Sequence, residues 1–230
     1  MSITLDEQVA IVTGAGHGLG RSHALALAER GAKVVVNDLR EDDAQSVVND
    51  IKAAGGTAIA VACSVSDNDA VVAMVNQTMD VWGRVDILVN NAGILRDKTF
   101  QKMSLDDFQL VIDVHLMGSV YCTKAVWGIM REQQYGRVIF TSSSTGLYGN
   151  FGQANYAAAK MAMVGLMNTL HLEGEKYNIR VNCLAPAAGT AMTEGLFPEK
   201  AFALLAPETV SPGVVFLVSP DAPSRTVLAA

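Results

Sequence analysis

The chain has 230 residues, half of them hydrophobic and 17% charged, and a formal net charge of −6. That composition fits one globular domain with a sizeable core, and the acidic balance excludes a nucleic-acid backbone as partner, since no basic stripe can displace its counterions. Apolar runs stay short of the ~18 residues of a membrane span, and Cys63, Cys122 and Cys183 are too far apart for a disulfide framework or zinc site.

The amino terminus, MSITLDEQVAIVTG, has acidic residues ahead of its first apolar run and lacks the basic region of a signal peptide. The final residues, Leu228-Ala229-Ala230, are not a peroxisomal Ser-Lys-Leu address. His17, His23, His115 and His171 show no ligand spacing with Cys or carboxylate. Together these features read as a soluble cytoplasmic protein without a structural metal.

Residues 8–13 form a short apolar run ending in Thr13-Gly14-Ala15-Gly16-His17-Gly18-Leu19-Gly20. A helical pattern follows to Arg30, and Gly31 closes it. Strand, glycine turn and helix in that order are what a dinucleotide site requires. Without Cβ atoms the backbone can approach a pyrophosphate, and the free N–H groups of the helix start face the anion. Gly14, His17, Gly18, Leu19 and Gly20 are therefore candidate cofactor-binding residues. The next strand, 33–37, ends at Asp38, eighteen residues after Gly20. A carboxylate there accepts hydrogen bonds from an adenosine ribose diol and repels a 2′-phosphate, which favours NAD over NADP. Arg40 nearby works against that preference.

The alternation continues with helices at 42–54 and 67–82 and strands at 57–61 and 85–89. It predicts right-handed βαβ units and a single-domain α/β fold, a doubly wound parallel sheet in three αβα layers with ligands at the carboxyl ends of its strands. Asn90-Asn91-Ala92-Gly93 follows one such end and suits a backbone closing over a cofactor. Arg96, Lys98 and Lys102 come next, as a solvated loop or as a landing site for a substrate phosphate or carboxylate. Ser104-Leu105-Asp106-Asp107 is a capping signal, and a long helix carrying His115 should run to about residue 131.

A β-type run at 137–142 leads into SSTGLYGNFGQANYAAAK, residues 143–160. Tyr156 and Lys160 stand one helical turn apart on one face, and Ser143 sits thirteen residues before Tyr156. A free phenol titrates near pH ~10, so acid–base work near neutrality needs a shift of roughly 3 units, or ~4 kcal/mol. A neighbouring ammonium favours the phenolate, and the Ser143 hydroxyl can hold the substrate oxygen while Tyr156 passes the proton.

The helix expected over 156–176 is apolar on nearly every side, so its outer face should meet another subunit. A homodimer or homotetramer through the 104–131 and 155–176 helices follows. Residues 179–185 read as a buried strand, 191–206 as a small apolar lid over the strand ends, and 207–219 as a helix. The chain stops on what reads as a strand just beginning, with the expectation that the protein continues.

Over essentially its whole length the chain resembles the short-chain dehydrogenase/reductase family. The matches are Thr13-Gly14-x-x-x-Gly18-x-Gly20, Asn90-Asn91-Ala92-Gly93, and Ser143 with Tyr156 and Lys160, in family order and spacing. The resemblance implies a Rossmann-type sheet, Tyr156 as general acid/base, Lys160 as the group that lowers its pKa and holds the nicotinamide ribose, and Ser143 as the residue that orients the carbonyl. It places Asn91, Ala92 and Gly93 along the cofactor, Ser64 and Val65 at the adenine, and Ala187 and Thr190 at the carboxamide. Three departures stand out: His115 replaces the family's Asn on the long helix, Ser64 replaces an Asp after the third strand, and Pro186-Ala187 replaces Pro-Gly. With NNAGILRDK, GNFGQANY and PAAGTAMT, these look most like the (3R)-hydroxyacyl-CoA dehydrogenase branch, also described as 17β-hydroxysteroid dehydrogenase. His115 then either helps to hold a water chain to Lys160 or simply packs there.

The expected activity is an NAD-dependent oxidoreductase interconverting a secondary alcohol and a ketone. Leu95, Leu147, Tyr148, Phe151, Met192, Leu196 and Phe197 would give the substrate an apolar surround. A 3-hydroxyacyl-CoA is the leading substrate and a hydroxysteroid the alternative. A non-catalytic dinucleotide sensor is the rival from another class, and the intact Ser143, Tyr156 and Lys160 argue against it.

Overall fold

The computed structural model describes residues 3–188 and 205–230. Seven parallel strands are β1 (Val9–Val12), β2 (Lys33–Asp38), β3 (Thr57–Ala62), β4 (Ile87–Asn90), β5 (Gly136–Thr141), β6 (Ile179–Ala185) and β7 (Val227–Ala229). Their order in the sheet is β3-β2-β1-β4-β5-β6-β7. The helices are α1 (Gly18–Glu29), α2 (Glu41–Ala53), α3 (Asn68–Trp82), α4 (Leu105–Ile112), α5 (Gly118–Gln133), α6 (Ser144–Tyr148), α7 (Ala154–Gly174) and α8 (Pro207–Val218). The doubly wound, three-layer fold is the one the alternation predicts.

Strand side chains divide by parity between the two faces. Ala10, Val12, Val34, Val36, Ile87 and Val89 pack against α1, α2 and α8 in one core. Ile11, Val35, Leu88, Val138, Phe140 and Val181 pack against α3, α5 and α7 in the other. Each fully buried Val, Leu, Ile or Phe contributes on the order of 1.5–3 kcal/mol, so register is fixed from both sides. A one-residue slip would exchange two complete sets of core residues.

That register aligns the carboxyl ends of the strands. Val12 pairs with Val36 and Val89, Asn90 with Phe140, and Thr141 with Leu184. The glycine turn, Asp38, Asn91 and Ser143 therefore leave the sheet along one rim, at the point where the order reverses between β1 and β4. Ligands of such sheets sit there.

Local signals fix most element ends. Asp67 caps α3 by accepting from the N–H groups of Asp69 and Ala70, and Ser104 caps α4 by accepting from Asp107. Gly31 follows α1 at φ +95°, as its closing role requires. Two features depart from the sequence reading. The 104–131 helix is interrupted by a π turn at Asp113–Met117, which carries His115, and π turns often mark functional positions. The stretch expected as a glycine-rich loop holds a short helix, α6, capped by Ser143.

Candidate active site

A cleft of about 440 Å³ lies along the rim, lined by Gly14, His17, Gly18, Leu19, Gly20, Asp38, Ser64, Val65, Asn91, Ala92 and Gly93. Sequence reasoning had singled out each of these. The cleft also takes in Asn37, Leu39, Cys63, Ile94 and Val114, which no motif marks. Asn37 and Cys63 become wall residues because β2 and β3 end side by side, where the Asn37 amide donates to Cys63 O and lies 3.3 Å from Cys63 Sγ.

A hydrogen-bonded frame holds the glycine turn. Thr13 Oγ1 accepts from the N–H groups of Asn91 and Ala92, at 3.0 and 3.1 Å. Asn91 Nδ2 donates to Thr13 O and Gly14 O, at 2.9 and 3.0 Å. The Asn91 side chain is thus committed to tying β4 to the turn, while its backbone borders the cleft. Gly20 faces that knot, and a Cβ there would lie 2.1 Å from Gly14 O and 2.5 Å from Asn91 Nδ2. No other residue fits.

Asp38 accepts from Gly16 N–H and Leu39 N–H at 2.8 and 2.7 Å. Each carboxylate oxygen retains acceptor capacity beyond those bonds. The nearby Arg40 guanidinium turns to Asp43 at 3.4 Å, and the His17 ring lies 3.1 Å from the same carboxylate. The Ser64 hydroxyl is paired with that of Ser66, and Val65 is buried against Gly118.

At the other end of the rim, Ser143, Tyr156, Lys160 and His115 converge. Lys160 is 2% exposed, and its Nζ donates to Thr141 O at 2.5 Å. Ser142 Oγ donates to Lys160 O, which pins the helix to the end of β5. Lys160 Nζ sits 5.3 Å from the Tyr156 ring centroid. Burial lowers the Lys160 ammonium to about 7. Tyr156 is raised by its own burial, against the lowering effect of the neighbouring Ser143 hydroxyl, with the Asp97 charge raising it further. The expectation that Lys160 would depress the phenol is therefore not met by the chain's own groups. Both side chains are desolvated together, and desolvation disfavours each charged form.

His115 is 1% exposed and meets Tyr156 edge-on, with ring centroids 5.1 Å apart. Its Nε2 lies 2.7 Å from Ile94 O and 3.0 Å from Ile94 N. Protonated on Nε2 the ring donates to the carbonyl; protonated on Nδ1 it accepts from the amide. Burial first, then the Lys160 charge, lowers His115 to about 3, so the ring is neutral near pH 7. It also occupies the place of a Gly93 side chain, since a Cβ on Gly93 would be 2.2 Å from His115 Cε1. Its side chain buttresses Tyr156 and the Gly93–Ile94 backbone.

Among the expected substrate residues, Leu95 and Leu147 are half-buried, while Tyr148 and Phe151 are 86% and 87% exposed. Arg96 and Lys98 pair with Asp107, which makes that basic group more a salt-bridged loop end than an open anion site. Ala187 is exposed, and its N–H donates to Ala230 O. Thr190, Met192, Leu196, Phe197 and most of the 191–206 lid lie outside the described residues. No group of three or more His, Cys, Asp or Glu able to hold a metal occurs among the described residues, and no described helix is long and apolar enough to cross a membrane.

The family model described as short chain dehydrogenase matches residues 8–201. The peroxisomal multifunctional enzyme type 2 of Drosophila melanogaster is 50% identical over 221 residues, covering 92% of this chain and 36% of that protein. The chain thus spans about a third of that relative's length. A 3-oxoacyl-[acyl-carrier-protein] reductase of Synechocystis is 47% identical, covering 85% of this chain and 80% of that one. The solved structure of a 7α-hydroxysteroid dehydrogenase complexed with NADH and 7-oxo glycochenodeoxycholic acid superposes with a TM-score of 0.92 at 30% identity, covering 99% of this chain and 94% of that one. The chain belongs to the short chain dehydrogenase family.

Proposed function

We propose that the chain interconverts a secondary alcohol and a ketone with NAD, on a 3-hydroxyacyl-CoA. The observation that carries the chemistry is the convergence of Ser143, Tyr156 and Lys160 beside a cleft shaped for a dinucleotide. The fit of the cofactor rests on the glycine turn, on the missing Cβ at Gly20, and on Asp38 with its spare acceptor capacity. NAD is favoured over NADP because Asp38 borders the cleft and Asp43 engages Arg40, leaving a 2′-phosphate opposed by carboxylates.

A nicotinamide held in the cleft by the glycine turn and Asp38 would supply the hydride chemistry at the carbinol carbon, and its oxidised ring would add positive charge. The chain's residues do the rest. Tyr156 takes the hydroxyl proton in oxidation and returns it in reduction. Ser143 donates a hydrogen bond to the same substrate oxygen. Lys160, anchored on Thr141 O, supplies an ammonium one turn from the phenol. Near its value of about 7 it is also able to relay a proton.

Half-buried Leu95 and Leu147, with exposed Tyr148 and Phe151, offer apolar surface to a fatty acyl chain. A hydroxysteroid is the second reading, favoured by the structural likeness to an enzyme solved with a bile-acid ligand. Met161 and Leu172 of α7, and Leu105 and Leu110 of α4, leave large apolar side chains exposed. That surface supports a homodimer or homotetramer through these helices. The three cysteines are free thiols, and a cytoplasmic setting is proposed on that ground.

The test is a purified-enzyme panel with NAD⁺, setting a 3-hydroxyacyl-CoA series against estradiol and testosterone and following absorbance at 340 nm. Turnover confined to steroids would replace the acyl-CoA reading. Tyr156→Phe should reduce turnover by about 10³-fold while NADH binding stays unchanged. Unaltered turnover in that variant would remove the mechanism, and no turnover by any substrate would return the rival reading of a dinucleotide sensor.

A further inference from the structure

The segment that follows Gly93 and the turn that precedes α7 are joined by polar contacts that the proton-transfer scheme above does not use. Lys98 N–H donates to Gly152 O at 2.9 Å. Gln153 Nε2 donates to Asp97 Oδ2 at 2.7 Å. Gln153 Oε1 accepts from Thr145 Oγ1 at 3.1 Å and from Asn150 Nδ2 at 2.9 Å. Thr145 N–H in turn donates to Ser143 Oγ at 3.1 Å. Gln153 is 7% exposed and its backbone carbonyl accepts from Ala157 N–H, so the amide is fixed by both α6 and α7. Asp97 is exposed, while its neighbours Arg96 and Lys98 pair with Asp107 at 3.8 and 3.5 Å.

Hydrogen bonds thus link Asp97 to Gln153 and Gln153 to the Thr145 hydroxyl, and the backbone N–H of the same threonine reaches the Ser143 hydroxyl. We propose that Asp97 is a positioning residue for the proton transfer: through Gln153 and Thr145 it holds Ser143 beside Tyr156, and as a carboxylate it puts an acidic group at that end of the site. This rests on the reading of Tyr156 as the general acid/base. The groups around the phenol make Asp97 stand out. From the π turn Tyr156 meets neutral His115, from its own helix Lys160, and from the end of β5 the uncharged Ser143. Cys183 on β6 faces Lys160 and is neutral, its thiol pushed up to about 12 by burial. Among the described residues, Asp97 is the carboxylate that acts on Tyr156, and it opposes the phenolate.

Asp97→Asn keeps an acceptor for the Gln153 amide and removes the charge. In alcohol oxidation, the rising limb of kcat/KM against pH should move toward acid, and only modestly, because the carboxylate is exposed and screened. Asp97→Ala loses the acceptor as well and should add a fall in kcat of about tenfold, with NADH affinity unchanged. Superimposable pH profiles for wild type and Asp97→Asn would overturn the inference, whatever Asp97→Ala does, because a mere tie between loops survives in the Asn variant. Tyr156→Phe assayed alongside separates the two levels. Wild-type turnover in that variant defeats the acid–base reading itself, whereas an inactive Tyr156→Phe with an unmoved Asp97→Asn profile defeats only the role of Asp97.

Discussion

Gly93→Ala perturbs the point where the cofactor cleft, the π turn and the tyrosine meet. The added methyl would lie 2.2 Å from His115 Cε1, 2.9 Å from Nδ1 and 3.0 Å from Nε2. Ordinary contact begins at 3.4 Å, so the ring must retreat by about 1.2 Å in a packed interior that resists such shifts. It is hemmed in, with Nε2 held at Ile94 and its edge against Tyr156. Overpacking of this kind costs ~1–3 kcal/mol, and loss of the Ile94 hydrogen bond about 1 more. For a chain of this size the melting temperature should fall by roughly 4–16 °C. Displacement passed on to Tyr156 should cost turnover as well, up to ~10² for a shift near 1 Å. Thermal melts and kcat measured in a double-mutant cycle with His115→Ala give the decisive reading. In the His115→Ala background Gly93→Ala should be nearly silent, with a coupling above ~1 kcal/mol. Equal destabilisation in both backgrounds would refute the argument that the ring is what requires glycine.

Acid should destabilise the fold through two buried, neutral histidines. His23 is completely buried and lowered by burial to about 4, and His115 to about 3. Because both folded values lie below the ordinary ~6.5, no penalty exists above that pH. It grows as pH falls and levels off below about 4 for His23 and about 3 for His115, with His23 alone costing about 3 kcal/mol at the limit. Urea midpoints unchanged between pH 7 and pH 4 would contradict this. A second expectation concerns cofactor choice. Asp43→Asn frees Arg40, which now pairs with it, and should raise the ratio of kcat/KM for NADP over NAD about two- to fivefold, the scale of one surface ion pair. An unaltered ratio would leave Asp38 alone responsible.

Much of the scaffold can be read from sequence because it is written in local periodicity. Apolar strands such as Val34-Val35-Val36 alternate with amphipathic helices, Asp67 and Ser104 announce helix starts, and Gly31 announces a stop. The glycine turn, Asp38, Asn91 and the Ser143–Tyr156–Lys160 set were also visible, since each follows a strand end or repeats at helical spacing. Other features depend on partners distant in the chain. The π turn at Asp113–Met117 has no composition of its own, and neither does the Ser143-capped α6 inside a glycine-rich stretch. Asn37 and Cys63 enter the cleft wall only because β2 and β3 pair in one register.

By itself, then, the sequence determined which segments become strands and helices, which residues reach the carboxyl rim, and which chemistry they carry, because these follow from spacing along the chain. Tertiary structure alone decided the charge states and constraints at the rim. Burial raises Tyr156 and lowers Lys160, His115 fills the space that keeps residue 93 a glycine, and Asp97 meets Gln153 across 56 positions. Burial and proximity of that kind arise only when the chain closes on itself, and no local pattern encodes them.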